Sequence, residues 1–238
     1  MKIVISTKTK ASNEVANLIS DFVANNPSAV LGFATGSSPK GVYRRMIKRH
    51  TRDGITYADV KAFNLDEYLG VFPREQSYRY YMSTRLYEHV DIKQENTFFP
   101  SESNLREFDQ MIDDAGGIDI QIIGVGTNGH IGFNEPGTSE TSTTHITYLT
   151  AETMLSNSRF FDNLDNVPNK AITMGLATIM KAKKIIFLAF GENKAEAVKR
   201  LVEAKKFDIN WPLTVLWNHP DITLYLDEAA ASLIKKQN

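Results

Sequence analysis

The chain has 238 residues, no cysteine, and 27 Lys plus Arg against 28 Asp plus Glu. That length accommodates one large domain or two small ones and buries about 70–75% of the unfolded chain's surface, so a core forms without disulfide or metal staples. The missing cysteines exclude thiolate metal sites, iron–sulfur clusters and a cysteine nucleophile, and the net charge of −1 argues against broad attraction to nucleic acid or membrane.

The N-terminus, Met1-Lys2-Ile3-Val4-Ile5-Ser6, is apolar for only three residues, and no later run approaches the length of a spanning helix. The expectation is a soluble, cytoplasmic protein. Ile3–Ile5 reads as a strand, and Val15, Ile19, Phe22 and Val23 mark one face of the helix after it. Ala29–Ala34 is the next strand, Lys40 to His50 a helix, and Val60–Phe63 a strand. Tyr78–Tyr87 reads as helical. Leu105, Phe108, Met111 and Ile112 form a helical stripe that Gly116-Gly117 ends. Ile118–Val125 is apolar at nearly every position, the pattern of a strand buried on both faces. Strands are expected at Lys170–Thr173, Lys184–Phe190, Leu213–Leu216 and Ile222–Leu226, with helices near Gly175–Lys181, Asn193–Lys205 and Asp227–Lys235. No linker or internal repeat interrupts this alternation. It predicts a single α/β domain over residues 1–238, built on a mostly parallel, doubly wound (Rossmann-like) sheet with helices on both faces. Ligands bind such sheets outside the carboxyl ends of the strands.

Four of those ends carry unusual chemistry. Thr35-Gly36-Ser37-Ser38-Pro39 is a small-residue turn leading into a helix, which suits either an anion or a plain helix cap. Gly36 to Gly41 has P-loop spacing, but Val42-Tyr43 stand where that motif needs Lys and Ser/Thr. Asn64-Leu65-Asp66-Glu67-Tyr68 places two adjacent carboxylates after a buried strand, for a general base or for capping. Gly124 to Gly129 spells the dinucleotide fingerprint, yet Gly132, Pro136 and Gly137 deny it the helix it requires, and Glu152 near the expected acidic position lacks the supporting unit. What remains is a glycine-rich loop with Asn128, His130 and Glu135, in which a carboxylate near an imidazole can fix its tautomer. Gly191-Glu192-Asn193-Lys194 sets a cation near a helix start, where the dipole favours anions, so Lys194 is either a surface lysine or a partner for a bound anion. Arg159 is a further candidate cation. No HExxH spacing or GxSxG elbow occurs, and no metal site is expected.

Taken together, Thr35 to Pro39, Phe63 to Tyr68, Gly126 to Pro136 and Asn157-Ser158-Arg159-Phe160-Phe161-Asp162-Asn163 resemble glucosamine-6-phosphate deaminases, in order from about Ala29 to Lys194. Members of that family convert glucosamine 6-phosphate and water to fructose 6-phosphate and ammonia without a redox cofactor. The resemblance implies that His130, oriented by Glu135, assists ring opening and that Asp66 shuttles a proton from C2 to C1. It further implies that Thr35, Gly36, Ser37, Ser38, Arg159 and Lys194 hold the phosphate while Tyr68 lines the site. Many members carry aspartate where this chain has Asn128; an amide takes no proton at neutral pH, so Asn128 is expected to orient rather than relay. A 6-phosphogluconolactonase-like hydrolase and a non-catalytic sugar-phosphate sensor are the competing readings. Asp66 disfavours the first, and the lack of a basic patch or helix-turn-helix extension disfavours the second.

Hexameric, activated members of the family bind an effector phosphate with basic residues downstream of the catalytic loop. The corresponding stretch, Thr143-Thr144-His145-Ile146-Thr147-Tyr148, has no Lys or Arg, and the end at Asn238 leaves less C-terminal material for an interface. The expected partners are therefore a small amino-sugar phosphate and, at most, a few copies of the chain, with no nucleic acid, membrane or allosteric activator.

Overall fold

The computed structural model describes residues 1–70, 72–158 and 166–234. In chain order the regular elements are β1 (Lys2–Ile5), α1 (Lys8–Asn25), β2 (Val30–Phe33), α2 (Lys40–Asp53), β3 (Lys61–Asn64), β4 (Asp66–Leu69), α3 (Tyr78–Arg85), β5 (Thr97–Phe98) and α4 (Phe108–Asp114). They continue as β6 (Ile120–Ile123), β7 (His145–Tyr148), α5 (Ala151–Asn157), β8 (Lys170–Thr173), α6 (Leu176–Met180), β9 (Lys184–Ala189), α7 (Ala195–Glu203) and β10 (Ile222–Leu226).

Seven strands form a parallel sheet in the order β1-β10-β9-β6-β2-β3-β5, flanked by helices. β2 and β6 lie at its centre and are buried at every position, so their side chains pack against both layers. From β2 the chain builds outward through β3 and β5, and from β6 it builds the other way through β9 and β10. The strand order therefore reverses between β2 and β6. The crevice outside their carboxyl ends is where this architecture binds ligands.

A second, antiparallel sheet of order β4-β8-β7 was not apparent in the sequence. Only Leu65 separates β3 from β4, too little chain for a crossover, so β4 leaves the parallel sheet and pairs with β8 instead. Lys170–Thr173 is thus a strand as expected, but one of the smaller sheet. Two backbone bonds join the layers at this point, Leu65 N–H to Phe33 O at 3.0 Å and Met174 N–H to Leu65 O at 2.7 Å.

Three expectations need correction. Leu213–Leu216 is not a strand but part of a 3₁₀ segment, Pro212–Asn218; Pro212 presets a helical φ, and an apolar run buried on every side has no period to read. The expected helix Asp227–Lys235 is a series of turns over its described residues, with the Asp227 carboxylate accepting from Gly191 N–H (3.0 Å) and Ala230 N–H (2.8 Å). Finally, α4 starts at Phe108 and leaves Leu105 in the preceding turns.

Candidate active site

The four sequence-marked strand ends converge on one cavity of about 320 Å³. Thr35, Gly36, Ser37 and Ser38 line it after β2, Asp66 and Tyr68 on β4, His130 after β6, and Lys194 after β9. Asn128 and Glu135 stand outside the lining, behind His130. Arg159 lies outside the described residues.

In the turn after β2 no side chain caps the helix that follows, α2, which starts at Lys40, so the serine hydroxyls are not spent on the helix end. Two of the turn's carbonyls are taken from outside, Gly36 O by the Tyr81 hydroxyl at 2.6 Å and Ser37 O by Lys8 Nζ at 3.0 Å. With its acceptors occupied and the 14-residue helix α2 behind it, the turn presents a positive end to the cavity.

Asp66 and Glu67 are consecutive on a strand, so their side chains take opposite faces. Asp66 faces the cavity and is only 6% exposed. Burial, and secondarily the neighbouring Glu67 charge, holds its carboxyl well above the usual carboxylate range. Glu67 turns away and accepts from the N–H groups of Tyr68 (2.9 Å), Tyr78 (2.8 Å) and Arg79 (2.8 Å). Burial pushes it up as well, opposed by those three donors and by Arg79.

In the loop after β6, Gly126 carries the His130 ring directly above it; a Cβ there would lie 2.1 Å from the imidazole Cε1. Gly129 has φ +83°, a left-handed conformation, and packs on Trp211 and Leu213, whose N–H bonds to the Gly129 carbonyl at 3.0 Å. The 3₁₀ segment and the residue before it therefore buttress this loop from behind.

Behind the imidazole the order of partners differs from the expected direct pair. Glu135 Oε2 is 3.7 Å from His130 Nδ1, beyond a hydrogen bond, and Asn128 sits between them. Asn128 Nδ2 donates to Glu135 Oε2 at 2.8 Å, while Asn128 Oδ1 lies 2.7 Å from His130 Nδ1 and accepts from the His130 backbone N–H at 3.2 Å. A carboxylate only accepts, so the amide must turn its NH₂ to Glu135 and its oxygen to the ring. Nδ1 then carries the proton, and Nε2 is left as the acceptor. The His130 side chain keeps 21% exposure. Burial pulls its pKa below the usual imidazole value; Glu135 and Glu152 oppose that shift, and Lys194 adds to it.

Sequence reasoning missed several lining residues. Tyr78 and Tyr81 face the cavity from α3, three residues apart and hence on one side of the helix. That spacing was legible, but nothing local says that α3 packs on this crevice. Phe133 stacks on Tyr78 with centroids 5.6 Å apart, and Tyr68 tilts against both. Glu152, set aside with the false fingerprint, lines the cavity and accepts from the Thr127 hydroxyl at 2.6 Å. Lys40 and Thr153 line it too.

Fold and site define an α/β protein whose switch-point crevice joins a small-residue turn at a helix start to two candidate proton-transfer groups, a buried carboxyl and an imidazole. The family described as glucosamine-6-phosphate isomerases/6-phosphogluconolactonase matches residues 6–224, and the chain belongs to it. It is 44% identical to a glucosamine-6-phosphate deaminase of Thermoanaerobacter pseudethanolicus over 100% of this chain and 97% of the relative. Against that of Clostridium perfringens the identity is 43% over 99% and 100%. The solved structure of a monomeric glucosamine-6-phosphate deaminase superposes with a TM-score of 0.94 at 40% identity, covering 98% of this chain and 100% of the other. A 6-phosphogluconolactonase from Trypanosoma brucei shares the fold alone, with a TM-score of 0.73 at 16% identity and 98% of each chain covered.

Proposed function

We propose that this chain is a glucosamine-6-phosphate deaminase, working in the cytoplasm as one functional unit over residues 1–238. The anion turn Thr35–Ser38, with Lys194 and Arg159, holds the 6-phosphate and so places the sugar's C1–C2 end against Asp66 and His130. His130 Nε2, its tautomer set through Asn128 and Glu135, moves the proton that opens the pyranose ring. Asp66 then takes the C2 proton and returns it to C1, turning the 2-amino aldose into the 2-imino form of the ketose. Water adds to that imine and ammonia leaves. C1 is reduced as C2 is oxidised, so no external oxidant or hydride carrier enters the balance.

One observation carries the reading: the buried Asp66 carboxyl shares a cavity with the His130 imidazole, whose Nδ1 lies 2.7 Å from Asn128 Oδ1. Burial strengthens an ionised carboxylate as a base. Lactone hydrolysis needs no C2-to-C1 carrier, so this carboxyl favours the deaminase over the hydrolase. The test is to incubate the purified protein with glucosamine 6-phosphate and measure ammonium and fructose 6-phosphate. Equal amounts of both support the reading. Their absence, together with turnover of a sugar-phosphate lactone, would overturn it.

A further inference from the structure

Glu67 does not line the cavity, yet it is the most heavily engaged carboxylate near it. Its Oε1 accepts from Tyr68 N–H and Tyr78 N–H, and its Oε2 from Arg79 N–H, all at 2.8–2.9 Å. α3 already has a cap of its own, since Ser77 Oγ accepts from Tyr80 N–H at 3.0 Å. The second acceptor comes from another element, β4, one residue beyond Asp66. A carboxylate holding consecutive N–H groups of α3 ties the helix start to the strand that carries the base.

That tie sets where Tyr78 stands. Its ring stacks on Phe133 at an interplanar angle of 9°, its hydroxyl bonds to Tyr68 Oη at 3.4 Å, and it lines the cavity together with Thr35. Tyr78 thus spans from the anion turn to the wall beside Asp66. Three residues on, Tyr81 holds the Gly36 carbonyl.

We propose that Glu67 is a positioning residue: from the far face of β4 it holds α3, and through it Tyr78, in register with Asp66 and the anion turn, without touching substrate. This rests on the deaminase reading for its kinetic consequences. The other titratable groups facing Asp66 are Tyr78 from α3, Tyr43 from α2 and, across the cavity, His130. Arg79 is the cation facing Glu67. Behind burial, Glu67 is the neighbouring charge that raises Asp66.

The experiment compares wild type, Glu67→Gln and Glu67→Asp as full-length proteins. It measures kcat and KM from about pH 5 to 9, and follows the Asp66 carboxyl by ¹³C NMR in the free protein. Glu67→Gln replaces one acceptor by a donor and removes the charge. It is expected to lower kcat about 10- to 100-fold, leave KM within about threefold, and move the Asp66 titration to lower pH. Glu67→Asp keeps the charge but falls one methylene short of α3, so kcat falls while the titration stays near its wild-type position. Wild-type kcat in Glu67→Gln overturns the proposal. So does a kcat loss accompanied only by a lower melting temperature with the titration unmoved. If Glu67→Gln does not fold, Glu67→Asp decides: reduced kcat with an unmoved titration supports the role, and wild-type kcat overturns it. A wild type that releases no ammonium counts against the deaminase reading, while the NMR titration still reports on Glu67.

Discussion

Asp66 and Glu67 are adjacent acids with opposite surroundings, and the pleat of β4 is the reason. The buried member must lose its proton to act as a base. Because burial raises its pKa, the folded state binds that proton more tightly than the unfolded chain does. The stability this contributes is present below the unfolded value of about 3.9 and is lost as pH rises through the folded value. Asp66→Asn is therefore expected to lower kcat by about 10²–10⁴ with KM little changed, while melting at or above the wild-type temperature near pH 7. Steady-state kinetics and calorimetry check the two halves, and deuterium from solvent should enter C1 of the product only where Asp66 is intact. At His130 the arrangement demands a protonated Nδ1, which long-range ¹H–¹⁵N correlation spectra read directly. Asn128→Ala removes the ring's anchor and strips Glu135 of its partner. Leaving a buried acceptor unpaired costs about 1–3 kcal/mol. The expected result is a lower melting temperature, a kcat about 10- to 100-fold lower, and a mixed tautomer at His130. Retention of wild-type kcat and a single tautomer would show that Asn128 does not orient the ring.

At the scale of elements, the site is a set of strand ends, each held by contacts that the loop or helix after the strand makes elsewhere in the fold. The loop after β9 is drawn in by Asp227, which accepts from Gly191 N–H and so sets the course of Gly191 to Lys194 toward the cavity. On the proposed reading, Lys194 there serves ground-state binding of the phosphate and takes no part in proton transfer. Lys194→Ala is expected to raise KM for glucosamine 6-phosphate about 10- to 150-fold with kcat nearly unchanged. A fall in kcat at unchanged KM would place Lys194 in the chemistry instead. The three aromatic residues Tyr68, Tyr78 and Phe133 close the opposite side, and their mutual packing makes α3 part of the site rather than a connector.

At the scale of the whole molecule, the stretch compared with the effector-binding segment of activated relatives is β7 and its approach. It pairs with β8 and supplies no Lys or Arg from Thr143 to Tyr148. The cation beside it, Lys170, lies over the Tyr148 ring at 5.0 Å. An activator must bind two states of a protein differently, and this segment lacks the paired charges for such a contact. The expected outcome is a monomer or small oligomer by light scattering and hyperbolic initial rates, unchanged by N-acetylglucosamine 6-phosphate. A hexamer whose sigmoidal rates that compound straightens would refute it.

The alternation of short apolar runs with helical stripes was enough to place β1, β2, β3, β6, β9 and β10, since helical and strand periods are properties of near neighbours in the chain. The same locality marked Thr35–Ser38, Asp66, His130 and Lys194 as strand-end residues, which a parallel sheet necessarily gathers on one edge. It left open whether the serines cap α2 and which of Asp66 and Glu67 is the base. Those questions turn on contacts between distant segments. Asp66 faces the cavity because β4 pairs with β8, with Asp66 opposite Thr173, and that register sends its side chain inward and Glu67 outward. Asn128 stands between His130 and Glu135 because the loop closes on itself through Gly126 N–H to His130 O at 2.9 Å. Tyr78 and Tyr81 enter the site only once α3 docks on the anion turn. Periodicity reports which face of an element is buried, and only the packing of one element on another determines what that face meets.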